Sequence, residues 1–99
     1  MQEFKFFNKK QTTDYDGEWS RMAVRIVVDY VAGRFTSGQT VQTPDAEYVI
    51  SQVSYQRGEL ASAIVEVTSE RSSFKVTYYI TMGRAFPFIT GHSITNQNN

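Results

Sequence analysis

Apolar and polar positions change period along the chain. From Trp19 to Phe35 the sequence WSRMAVRIVVDYVAGRF carries its longest apolar stretch. Trp19, Met22, Ala23, Ile26, Val27, Tyr30 and Val31 recur at spacings of three and four, the signature of one helical face. Glu18, Arg21, Arg25 and Asp29 fall opposite, with Arg25 and Asp29 four apart and able to pair. Asp16 or Ser20 can cap the start, and Gly33 stands where a helix often stops. The same stretch also alternates, Met22, Val24, Ile26, Val28 and Tyr30 against Arg21, Arg25 and Asp29, as a strand would. Length decides for the helix, because strands usually run about five or six residues. Val24, Val28 and Phe35 widen the apolar arc beyond one narrow stripe, so this helix wants cover on more than one side.

The rest of the chain has the period of strands. Gln2 to Asn8 reads as a short strand, and Lys9 to Glu18 as a polar connection with a turn at Asp16-Gly17. Thr36 to Asp45, with Gly38 and Pro44, reads as a loop or a poorly formed edge strand. Glu47 to Gln56 alternates, and Gln56-Arg57-Gly58-Glu59 turns it tightly into Leu60 to Thr68. Phe74, Val76, Tyr78, Ile80 and Met82 then alternate with Ser73, Lys75, Thr77, Tyr79 and Thr81. Gly83-Arg84 turns the chain into Phe86 to Ile94, where Pro87 points to an edge position. Residues 1–95 form one domain, and 96–99 a frayed polar tail.

Strand, helix and then strands joined by short turns specify an α+β fold: one helix on a curved antiparallel sheet of four to five strands, in the order β-α-β-β-β-β. An all-β sandwich or barrel follows if the central stretch is a strand. In element order alone the chain resembles the cystatin-like arrangement and its nuclear-transport-factor-like relatives. Tyr30-Val31-Ala32-Gly33 is similar to the Val-Ala-Gly loop of cystatin inhibitors, but it falls at the end of the helix rather than between strands. Element order implies no function.

Composition narrows the function. Ninety-nine residues, 40% hydrophobic and 20% charged, are enough for one modest core. Ten basic residues balance ten acidic ones, without the basic excess of a generic nucleic-acid binder. No cysteine is present, which excludes disulfides, zinc–thiolate sites and cysteine nucleophiles. No apolar run reaches the roughly twenty residues of a membrane helix, and MQEFKFFNKK lacks the order of a secretory signal; the expected location is cytoplasmic.

Chemical motifs are partial. Gly33 to Thr40 misses the phosphate-binding loop pattern because Gln39 stands in the lysine position, and Val41-Gln42-Thr43-Pro44 is a poor helix start. Asp14, Asp16 and Glu18 lie close together but lack the twelve-residue calcium-loop spacing; helix capping and a charge–dipole contact account for them, with weak cation binding left open. His92 is the single histidine, and no G-x-S-x-G elbow accompanies it. Glu66 and Glu70 are the nearest acid pair in the strands, in a chain small for a substrate cleft. Tyr79 with Lys75 and Arg84 comes nearest to a base-stacking surface, while Phe74, Tyr78, Phe86 and Phe88 suit core packing. No catalytic, metal or cofactor site is expected.

Simple alternation places Val49, Val53 and Tyr55 toward the helix, and Tyr48, Ile50, Leu60, Ile64 and Tyr79 on the outer face of the sheet. So apolar an outer face predicts a partner surface. The expected function is a non-enzymatic interaction module that binds another protein and forms a homodimer. The alternatives are a small-ligand pocket between helix and sheet, and single-stranded nucleic-acid binding through the aromatic sheet face.

Overall fold

The computed structural model describes residues 17–34 and 40–96. Helix α1 (Trp19–Val31) is followed by strands β1 (Thr40–Gln42), β2 (Glu47–Gln56), β3 (Glu59–Thr68), β4 (Phe74–Met82) and β5 (Pro87–Asn96). The five strands form one open antiparallel sheet in the order β1-β2-β3-β4-β5, each paired with its neighbour in sequence. The helix lies on one face, against β3, β4 and β5. This is the expected α+β architecture, and the central stretch is a helix. The expected first strand, Gln2 to Asn8, lies outside the described residues, as do Asp14, Asp16 and 97–99. Strand β5 runs to Asn96, one residue into the expected tail.

The helix ends as Gly33 foretells. Gly33 has a φ of +86°, where a side chain would be strained. Its N–H donates to the Tyr30 carbonyl at 3.0 Å, and the Arg34 N–H donates to the Asp29 carbonyl at 2.9 Å, a Schellman closure. That turn brings the Arg34 guanidinium to 2.9 Å from the Asp29 carboxylate, so Asp29 pairs with Arg34 rather than with Arg25. Ser20 does not cap the start; it sits inside the helix and donates to the Gly17 carbonyl at 2.9 Å.

Trp19, Ala23, Ile26 and Val27 bury one face of α1 against Tyr48 and Ile50 of β2, Ala63, Val65 and Val67 of β3, and Val76, Tyr78 and Ile80 of β4. Register sets these in cross-strand rows: Tyr48, Val67 and Val76; Ile50, Val65 and Tyr78; Ala63 and Ile80. Phe74 closes the row end beside Trp19, ring centroids 6.2 Å apart.

Two irregularities re-phase the sheet. Ile50 pairs with Val65 but Gln52 pairs with Ile64, leaving Ser51 without a partner; Ser54 pairs with Ser62 but Tyr55 pairs with Leu60, leaving Ala61. Each extra residue flips the alternation beyond it. Tyr48 and Ile50 on one side of Ser51, and Val53 and Tyr55 on the other, therefore all belong to the helix side. Between Gln56 and Glu59 the turn is the two-residue kind with positive φ at both centres, Arg57 at +55° and Gly58 at +83°.

Candidate association surface

The outer sheet face is smaller than strict alternation suggests. Tyr48 and Ile50 are 3% and 1% exposed and lie in the core, not on the outer face. Leu60, carried over by the Ala61 irregularity, packs against the same core. Val49, expected inward, takes the opposite side from Tyr48 and Ile50. Ile64 and Tyr79 are cross-strand partners on the outer face and do come together. Around them lie Gln52, Ser54, Ser62, Thr81 and Thr90, in a shallow polar dip.

Apolar exposure is concentrated elsewhere. Phe86 and Phe88, expected to pack in the core, are 73% and 50% exposed. Val28 and Val31 of the helix are 39% and 51% exposed. An open groove of about 510 Å³ runs between helix and edge strand, lined by Ser20, Arg21, Val24, Arg25, Pro87, Phe88 and Ile89. Val24 faces this groove, and Val28 and Val31 continue its flank at spacings of four and three. The widened apolar arc in the sequence is this flank.

Local structure fixes the strand side of the groove. The Gly83 N–H donates to the Phe86 carbonyl at 3.1 Å and closes the turn into β5. The Phe88 ring rests on Gly83, where an added Cβ would stand 2.8 Å from the Phe86 carbonyl oxygen and 3.1 Å from the ring. Glycine is required there for space. Beyond Pro87, Tyr79 pairs with Gly91 but Ile80 pairs with Ile89, so Thr90 is the extra residue and Gly91–Asn96 is the regular part of β5.

The two edges of the sheet differ. Strand β1 has three residues. Strand β5 has ten and stands last in the order of the described strands. Strands β2, β3 and β4 each carry at least one Asp, Glu, Lys or Arg, whereas β5, PFITGHSITN, carries none. Edge strands are usually protected by charge, and here the charges sit on the inner strands instead.

The remaining chemistry is dispersed. Lys75 is 3.3 Å from Glu66, which ties up both a base-binding cation and one of the paired acids. Glu70 is exposed in the turn after β3. His92 stands on β5 with its ring centroid 6.2 Å from that of Tyr78. Residues 35–39 of the near-miss phosphate loop lie outside the described residues. Among the described residues no three His, Asp or Glu side chains gather as a metal-holding group, and no helix is long and apolar enough to cross a membrane. Ala23, Val27, Val65, Val67 and Val76 are fully buried between helix and sheet. Hollows open at the margins, one between the start of α1 and the Thr43–Asp45 turn.

No protein-family model, curated protein or solved structure matches the chain.

Proposed function

We propose that this chain is a small, non-enzymatic, cytoplasmic interaction module that works by binding protein, a second copy of itself in the first place. The supporting observation is the coincidence of a valine flank on α1 with a ten-residue, charge-free edge strand across one apolar groove. Large exposed apolar patches on small proteins mark association sites. The outer-face pair Ile64–Tyr79 is a secondary contact at most, because Tyr48, Ile50 and Leu60 lie with the core rather than beside it.

Light scattering across a concentration series tests this. The parent chain is expected at twice its 11.3 kDa mass. The double variant Val28→Glu, Val31→Glu is expected at the single mass with unchanged circular dichroism, since both side chains are exposed in one copy. A parent chain at the single mass throughout the series removes the proposal.

A further inference from the structure

Resting on the reading of this chain as a protein-binding module, and not on its self-association, we infer that the groove between α1 and the start of β5 receives an acidic amphipathic helix of an unlike protein. The apolar side of that helix lies on Val24, Phe88 and Ile89, and its carboxylates meet Arg21 and Arg25.

The groove is apolar at its floor and cationic at its rim. Pro87 is buried, Val24 and Ile89 are half-buried against the core, and the Phe88 ring stands 50% exposed along one wall. Arg21 and Arg25 are the charged residues that line it, and both are exposed. They stand one turn apart on α1, about 6 Å along its axis. Like charges at that spacing weaken a helix. Among the described residues no ion pair relieves either of them. Glu18 lies a turn ahead of Arg21 and pairs with neither, and Asp29, a turn beyond Arg25, is held by Arg34 at 2.9 Å. The rim is left to pair with negative charge brought by a partner.

Charge and shape together select the occupant. Carboxylates four residues apart on a docked helix match the spacing of the two guanidiniums, and its apolar stripe fills the space between them and Phe88. A second copy fits this end badly, because a two-fold axis through the groove sets the arginines of one copy against those of the other. Val28 and Val31, the residues assigned to self-association, lie further along the flank. A lipid surface is held by clusters of roughly four to eight basic side chains, whereas this groove has the two arginines alone. A small apolar ligand in so open a groove keeps much of its surface in water, unlike one in an enclosed pocket.

A helix-stabilised synthetic peptide serves as the probe, with leucines at helical spacing along one side and glutamates one turn apart beside them. Two analogues carry glutamine or lysine in place of the glutamates. Fluorescence anisotropy is expected to show saturable binding of the glutamate peptide and no binding of the lysine peptide. The glutamine peptide is expected to bind about tenfold more weakly, the scale of two part-exposed ion pairs. In the double variant Arg21→Glu, Arg25→Glu the order of the peptides reverses, with circular dichroism unchanged because both side chains are exposed. On adding the glutamate peptide to the parent chain, amide resonances are expected to shift at 20–25 and at Phe88 and Ile89.

Equal affinity for the glutamate and glutamine peptides overturns the inference, as does an order that survives the charge reversal. Shifts centred on Ile64 and Tyr79 overturn the location. Phosphatidylserine vesicles that retain the chain, with no binding of the glutamate peptide, overturn it in favour of a lipid surface. Light scattering keeps the two proposals apart. A chain at double mass that ignores the glutamate peptide loses this inference alone, and a chain at single mass that binds it loses self-association alone.

Discussion

The Tyr30 hydroxyl on the last turn of the helix lies 2.6 Å from the Tyr55 hydroxyl near the end of β2, twenty-five residues away. The hydrogen bond ties the C-terminal end of α1 to the sheet at the edge of the core. Tyr55 reaches this position only because the Ser51 irregularity turns the second half of β2 toward the helix.

The bond holds the Tyr30 phenol above the ordinary value of 10, first through the hydrogen bond with Tyr55, then through partial burial and charge repulsion from it. Replacing Tyr55 by Phe is expected to bring Tyr30 back toward that value. Carbon-13 titration of the tyrosine ring signals measures it; an unmoved Tyr30 after Tyr55→Phe removes the contact.

Tyr48 supplies a stability signature at high pH. Burial, followed by the nearby Glu18 charge, pushes its phenol up to about 12, while a hydrogen bond with Thr43 works in the other direction. Because the folded value lies above the unfolded one, this contribution is fully present below pH 10 and is lost as pH rises through about 12. The loss is about 2–3 kcal/mol. Urea unfolding at pH 9 and pH 12 is expected to show a smaller drop for Tyr48→Phe than for the parent chain. Equal drops contradict the buried placement.

Ile50 and Ile64 separate the two faces of the sheet. Ile50 is 1% exposed beneath the helix, whereas Ile64 is half-buried on the opposite side. Ile50→Ala is expected to cost about 3–4 kcal/mol through lost burial and a cavity, and Ile64→Ala about 1 kcal/mol. Chemical denaturation compares them, and a larger loss at Ile64 reverses the assignment.

Arg57 carries backbone strain. With φ at +55° it occupies a region suited to Asn or Gly in a two-residue hairpin. Arg57→Asn is expected to stabilise the protein by about 0.5–1 kcal/mol, a rise in Tm of roughly 2–6 °C. Calorimetry reads it directly, and a lowered Tm contradicts the turn geometry.

Much of the architecture is local and therefore legible in the chain itself. The three-and-four spacing from Trp19 specifies the helix, and Gly33 specifies its end, because both depend on contacts within one or two turns. Arg57-Gly58 marks the hairpin for the same reason, and Pro87 marks an edge because a missing N–H is intolerable inside a sheet. The wide arc of Val24 and Val28 already signals a helix with a second apolar side. Which face each strand residue takes was settled only by tertiary structure. A single unpartnered residue, Ser51 or Ala61, inverts every position beyond it, and no local preference of serine or alanine announces that. Tyr48, Ile50 and Leu60 moved to the helix side on this account. Phe86 and Phe88 read as core residues by hydrophobicity, yet the tertiary structure leaves both exposed at the entry to β5. Hydrophobicity alone says that such a residue prefers cover; the packing of the whole chain decides whether that cover lies within one copy.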